Sequence, residues 1–183
     1  MRGWAAWVIF LALLTPVPGF ADQNDAALNG LFARLQAAET DQEAAPIEAR
    51  IWQIWVHLGK PKIDRTMAIG IAAMNAAAYK VSLRAFDNIV AAAPDFAEGW
   101  NKRATVHYLM GNLDASMRDI QQTLSLEPRH FGALSGMGLI FDAIGDPAAA
   151  VRVLQRTLTL HPHMAGMNER LKDLENRAKG RPI

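Results

Sequence analysis

Three prolines, Pro94, Pro128 and Pro162, stand 34 residues apart, and each closes a stretch with the same pattern of small and bulky residues. A fixed period of that length restricts the chain to stacked copies of one supersecondary unit. Each unit buries its apolar face only against its neighbours. Segments 63–94, 97–128 and 131–162, laid over one another by the 34-residue offset, bring Thr66, Trp100 and Leu134 together. Gly70, Ala104 and Gly138 coincide next, small enough for two helices to approach closely, followed by Ala73, His107 and Phe141. In the second half of each segment Ser82, Ser116 and Ala150 coincide. One helical turn later stand the bulky Phe86, Ile120 and Leu154. The closing prolines end the second helix, because a ring and a missing N–H make its continuation costly.

The punctuation agrees with this register. Gly111 and Gly145 suit the left-handed turn that closes a first helix, and Ala77 holds that place in the first segment. Asp146 before Pro147 is a helix start, with an N-cap and a proline at the first helical position. Asp95 with Glu98 predicts a capping-box-like start for the helix that carries Trp100. Ile69, Arg103 and Met137 share one register position, and Ala85, Asp119 and Val153 share another. Charge appears in both series only in the middle segment and with opposite sign. The two positions are therefore expected to face each other between paired helices, with Arg103 and Asp119 as an ion pair that specifies packing.

The pattern of Trp, small residue, aromatic, small-x-x-x-bulky and closing proline resembles the tetratricopeptide repeat family over residues 63–162. Thr66 and Ala77 are the departures in the first segment. The resemblance implies an all-α fold, a right-handed α-solenoid of antiparallel helix pairs. Three repeats would occupy 62–162, in the register 63–96, 97–130 and 131–164. It further implies that the first helices of successive pairs line a concave groove for a protein or peptide partner. Carried onto this chain, the groove comprises Met67, Ile71 and Met74, then Glu98, Asn101, Thr105, Tyr108 and Leu109, then Ser135, Leu139 and Asp142. A lysine, asparagine and arginine clamp for a C-terminal carboxylate, found in some members, is not expected. Asn101 and Lys102 are present, but the next repeat offers Ser135 and Gly136.

Residues 22–61 fit the repeat poorly. Leu28, Leu31, Phe32 and Leu35 form one helical face. Ile47, Ile51, Ile54, Trp55 and Leu58, with Trp52 close by, form another over 43–58, and Pro46 is expected in the first turn of that helix. This divergent hairpin is expected to cover the N-terminal end of the stack. Residues 163–183 form a capping helix (164–179) and a tail. Glu169, Arg170, Lys172 and Asp173 give the helix an alternating charged face that solvates the C-terminal end. Residues 1–21 read as an export signal: Arg2, an 11-residue apolar run over 4–14, helix breakers, and Gly19 and Ala21 flanking Phe20. Cleavage after Ala21 and a periplasmic location are expected, and an apolar run of 11 residues is short for a membrane span. An uncleaved signal or a partner would be the routes to a membrane.

A formal net charge of +1, falling to 0 without residues 1–21, argues against nucleic acid as a partner. Cysteine is absent, which removes disulfides, thiolate metal sites and cysteine nucleophiles. His161 and His163 flank Pro162 and read as exposed turn residues, because a zinc site needs three or four ligands. His57 and His130 stand alone in sequence, and His107 occupies the aromatic core register. Ser125 and Ser135 lack a positioned base, and the glycines Gly136 and Gly138 do not follow a strand. Trp52, Trp55 and Trp100 read as core fillers. No catalytic residue, metal site or cofactor is expected. The expected function is a periplasmic adaptor or scaffold that binds a segment of another envelope protein in its groove. The alternatives are a structural subunit of a membrane-associated complex, docked around Trp52 and Trp55, and a periplasmic hydrolase.

Overall fold

The computed structural model describes residues 22–180. The export signal and the cleavage after Ala21 expected from the sequence lie outside the described residues, as does the end of the tail. Among the described residues the chain forms nine α-helices and no strand. In order they are α1 (Ala27–Ala37), α2 (Asp41–Trp55), α3 (Pro61–Asn75), α4 (Tyr79–Ala92), α5 (Ala97–Leu109), α6 (Leu113–Leu126), α7 (Phe131–Ala143), α8 (Pro147–Leu160) and α9 (Met167–Lys179). Helices α3 to α8 form three antiparallel pairs. Each second helix also packs on the first helix of the following unit, α4 on α5, α6 on α7 and α8 on α9. The first helices touch one another more closely than the second helices do, so this α-solenoid curves with α3, α5 and α7 on its inside.

The register explains the close approach within each pair. A Cβ on Gly70 would stand 2.6 Å from Cε1 of the fully buried Phe86, so only glycine admits that ring between α3 and α4. The Ser82 hydroxyl donates to the Gly70 carbonyl at 2.8 Å, and Ser116 repeats the bond to Ala104 at 2.8 Å in the next pair. Arg103 donates from Nε and a terminal nitrogen to both oxygens of Asp119, at 2.7 and 2.8 Å, as the register requires. It also reaches Asp87 on α4 at 3.0 Å, so one guanidinium joins two consecutive pairs. His107 stands beside this pair, its Nε2 4.0 Å from Asp119.

The turns inside the three pairs have one geometry. Gly111 and Gly145 adopt φ of 78° and 81°, and Ala77 adopts φ of 55° at the same place. A left-handed conformation costs an L-residue about 1–2 kcal/mol, while glycine carries an entropic cost of its own in the unfolded chain. Ala77→Gly is therefore expected to raise the free energy of unfolding by up to about 1 kcal/mol in a urea titration. A lowered value would contradict the shared turn geometry.

Asp146 caps α8 by accepting the Ala149 N–H at 2.9 Å, with Pro147 at the first helical position. The capping box expected from Asp95 and Glu98 does not form. Phe96 is the N-cap of α5, and the Gln23 side chain accepts the Ala97 N–H at 3.2 Å instead. Thr40 caps α2 by accepting the Glu43 N–H at 3.3 Å, so that helix begins earlier than expected and Pro46 lies beyond its first turn. The last helix begins at Met167, after Gly166 in a left-handed turn at φ 71°.

The hairpin of α1 and α2 is not an end cover, which corrects the expectation from sequence. It lies along the turns between repeats. Leu28, Phe32, Leu35, Ile51, Ile54 and Trp55 form one core with Phe131, the first residue of α7, and Met164 packs against it. Gln36 donates to the Thr159 carbonyl at 3.2 Å, and Arg129 donates to Asn29 at 2.8 Å. Gln23 reaches the Asp95 carbonyl at 2.6 Å. The physical reason is the pair of tryptophans. Trp52 and Trp55 both meet the rings of Phe131 and His130, whereas α3 presents Ile69, Ala68 and Ala72 to solvent.

Candidate functional site

The inner face of α5 and α7 carries the candidate site. At helical spacing on α5, Asn101, Thr105 and Tyr108 point the same way, and Ser135 and Leu139 answer them from α7. With Ala104, Ser116, Ile120, Gly132 and Gly136 they line a cavity of about 150 Å³. Small residues make that space. Gly132 and Gly136 leave the α7 backbone bare, and a Cβ at Gly136 would stand 3.3 Å from Ile120 Cδ1. Asn101 donates its amide to Glu98 Oε2 at 2.8 Å, and the Thr105 hydroxyl donates to the Asn101 carbonyl at 2.9 Å. The Asn101 side-chain carbonyl and the Tyr108 hydroxyl are not used by other described residues.

The other expected groove residues are placed differently. Met67 is buried in the core between α3 and α4, with Ile71 and Met74 half-buried against it, so the first segment contributes little open surface. Leu109 is exposed at the end of α5, outside the cavity. Asp142 is bonded by Arg170 at 2.8 Å and Arg177 at 2.6 Å, which fastens α9 to α7. Ser135 donates weakly to Met167 Sδ at 3.6 Å, so α9 borders the cavity from that side.

Glu98 faces inward and organises a buried polar cluster at the groove's edge. His130 Nε2 lies 2.9 Å from its Oε2, and Lys102 Nζ lies 3.0 Å from its Oε1. The other ring nitrogen of His130 accepts the Ala133 N–H at 3.1 Å, capping α7, which leaves the ring proton on Nε2 for Glu98. Burial pushes the Glu98 carboxyl up, but the Lys102 charge and the His130 hydrogen bond outweigh it and hold it at about 2. The His130 ring stacks on Trp55, centroids 4.0 Å apart at 11°. Trp52 closes the same end of the groove. Lys102 Nζ lies 5.0 Å over its ring, and a Cβ on Gly132 would meet Trp52 Cη2 at 2.6 Å.

Three histidines, His130, His161 and His163, depart from their sequence reading. His130 is not isolated, because Glu98 and Trp55 enclose it. His161 is buried rather than exposed, 3.1 Å from Glu48 Oε2 on α2 and edge-on to Phe131. Glu48 is held below the usual carboxylate range, chiefly by the His161 imidazole beside it. His163 binds Asp41 at 2.8 Å and the Ala38 carbonyl at 3.0 Å. These residues fasten the hairpin to the array. Their partners come from a distant part of the chain, so local spacing gives no sign of them. Among the described residues, no group of three His, Asp or Glu side chains is placed to hold a metal ion. No described helix is long and apolar enough to cross a membrane.

The chain is 33% identical over 153 residues to a TPR repeat-containing protein of Rhizobium etli, covering 84% of this chain and 75% of that one. Among solved structures it resembles the first TPR of Spaghetti (RPAP3) bound to the HSP90 peptide SRMEEVD. The TM-score is 0.63 at 16% identity, over 66% of this chain and 95% of that one. The TPR2B domain of yeast Sti1 in complex with an Hsp70 peptide gives a TM-score of 0.59 at 16% identity, over 66% of this chain and 98% of that one. No protein-family model matches the chain.

Proposed function

The chain belongs to the tetratricopeptide repeat proteins, and from that premise we propose that it is a periplasmic adaptor holding a segment of another envelope protein in its groove. The observation that carries this reading is the cavity between α5 and α7, where Asn101, Thr105, Tyr108, Ser135 and Leu139 converge from two first helices. Apolar walls with a few convergent polar groups are the ordinary make-up of a recognition pocket. Residues 1–21 support export, with cleavage after Ala21 before the domain folds in the periplasm. The reading as a subunit docked through Trp52 and Trp55 loses its support, since Trp55 is buried and Trp52 packs on Lys102 and Gly132.

In-cell crosslinking of the tagged, exported protein tests the proposal. The expected result is a dominant crosslinked protein that disappears when Asn101, Tyr108 and Leu139 are all changed to alanine, with the helical circular dichroism retained. A partner kept by the folded triple variant would refute groove binding. Mass spectrometry of the same material reads the N-terminus, and a chain starting at Met1 or Arg2 would refute cleavage.

A further inference from the structure

We infer that the groove selects an uncharged, extended polypeptide segment which inserts one leucine- to phenylalanine-sized side chain into the cavity between α5, α6 and α7, and that it discriminates against acidic chain ends. This rests on the groove-binding reading and specifies the ligand.

Size sets the first part. Small-molecule sites enclose about 300–1,000 Å³, whereas an apolar void of about 150 Å³ accommodates a benzene-sized group. The cavity here is about 150 Å³, so it suits one side chain of a longer ligand rather than a whole small molecule. The walls contributed by Ala104, Ile120 and Leu139 are apolar, so the inserted group is apolar too. Polar groups at the rim suit the ligand's backbone. The Asn101 side-chain carbonyl accepts an amide N–H, and the Tyr108 hydroxyl serves a carbonyl.

Charge sets the second part. Among the described residues, Lys102, Arg103, Arg170 and Arg177 beside the groove each have an anionic partner. Lys102 lies 3.0 Å from the buried Glu98, and Arg103 binds Asp119 and Asp87. Arg170 and Arg177 are both held by Asp142. An incoming carboxylate would meet the Glu98–Lys102 pair as a neutral unit and lose its hydration without compensation. At the other end Trp52, seated against Gly132, blocks the groove, so the segment runs from Tyr108 and Leu139 toward Asn101 and stops there.

The test is calorimetric titration of the exported full chain with two hexapeptides. One is acetylated and amidated, with a single central leucine among serine, glycine and asparagine. The other has the same length, acidic flanks and a free C-terminal carboxylate. The neutral peptide is expected to bind at least tenfold more tightly, with little change between low and high salt. Gly136→Leu fills the cavity and is expected to abolish that binding. Tyr108→Ala, which leaves the helix backbone untouched, is expected to weaken it severalfold should the first variant misfold. Glu98→Gln releases Lys102 and is expected to raise affinity for the acidic peptide at least fivefold. Tighter binding of the acidic peptide to the unaltered chain would overturn the inference. So would absence of binding by either peptide while groove-dependent crosslinking in cells persists. Absence of both the peptide binding and the crosslinking would instead remove the groove-binding reading itself.

Discussion

Trp55→Ala is expected to lower the free energy of unfolding by about 3–5 kcal/mol in a urea titration, the range for deleting a large buried aromatic. Trp55 is the residue through which the hairpin recognises the array. Its ring stacks on His130 at 4.0 Å and meets Phe131 at 4.9 Å, Trp52 at 5.3 Å and Phe32 at 5.9 Å. Truncation to a methyl group removes contacts to α1, α2 and α7 at once and leaves a void where those elements meet. The indole N–H of Trp55 has no hydrogen-bond partner among the described residues, which itself costs stability in a buried site. Trp55→Phe, keeping a ring and dropping that N–H, is therefore expected to cost less than half as much as the alanine variant. A loss below about 1 kcal/mol for Trp55→Ala would mean that the hairpin is not fastened as described.

The second large effect is the loss of stability in acid, centred on Glu98. Its folded carboxyl is held at about 2 against an ordinary value of 4.5. A depressed folded value means that the unfolded chain binds the proton first. The stabilisation is thus complete above pH 4.5 and is lost as pH falls toward about 2. The full shift corresponds to about 3 kcal/mol. Glu48, also held low, acts in the same direction. Glu98→Gln keeps an acceptor for His130 and removes the titration, so its stability curve is expected to be flatter over the same interval. Glu98→Ala is expected to cost about 3–5 kcal/mol at neutral pH, because it leaves Lys102 and His130 without their partner. A wild-type curve no steeper than that of Glu98→Gln would show that the cluster contributes nothing.

The repeat array was legible because its constraints are local and periodic. The small Gly70 and Ser82, the bulky Phe86 and the facing pair Arg103–Asp119 all follow from a 34-residue offset applied to residues within one helix pair, while the bond from Ser82 to the Gly70 carbonyl shows only in the structure. Ala77 shows how far the register reaches. Its side chain breaks the glycine pattern, yet the backbone keeps the left-handed turn of Gly111 and Gly145.

The hairpin's position was not legible. Its apolar faces predict two helices, but no periodicity says that Phe32 and Trp55 find Phe131. The same lack of local signal hid His130 and His161. His130 looks solitary and His161 looks like an exposed turn residue until Glu98 and Glu48 are brought beside them by folding. Glu98 misled twice, as an expected cap and as an expected groove residue, because a first-turn acid on a polar helix face resembles both. Burial against α7 decided otherwise. Of the expected groove, the spacing of Asn101, Thr105 and Tyr108 located the α5 wall. Met67 was drawn into the core by Phe86 and Ile89.

In the proposed function a partner segment lies against the inner face of α5 and α7. A photo-crosslinking amino acid at position 139, on that face, compared with one at position 144 on the exposed outer turn, tests it most directly. In cells, the account predicts one discrete crosslinked protein from position 139 and none from position 144. Equal capture of the same protein from position 144, or capture from there alone, would contradict it.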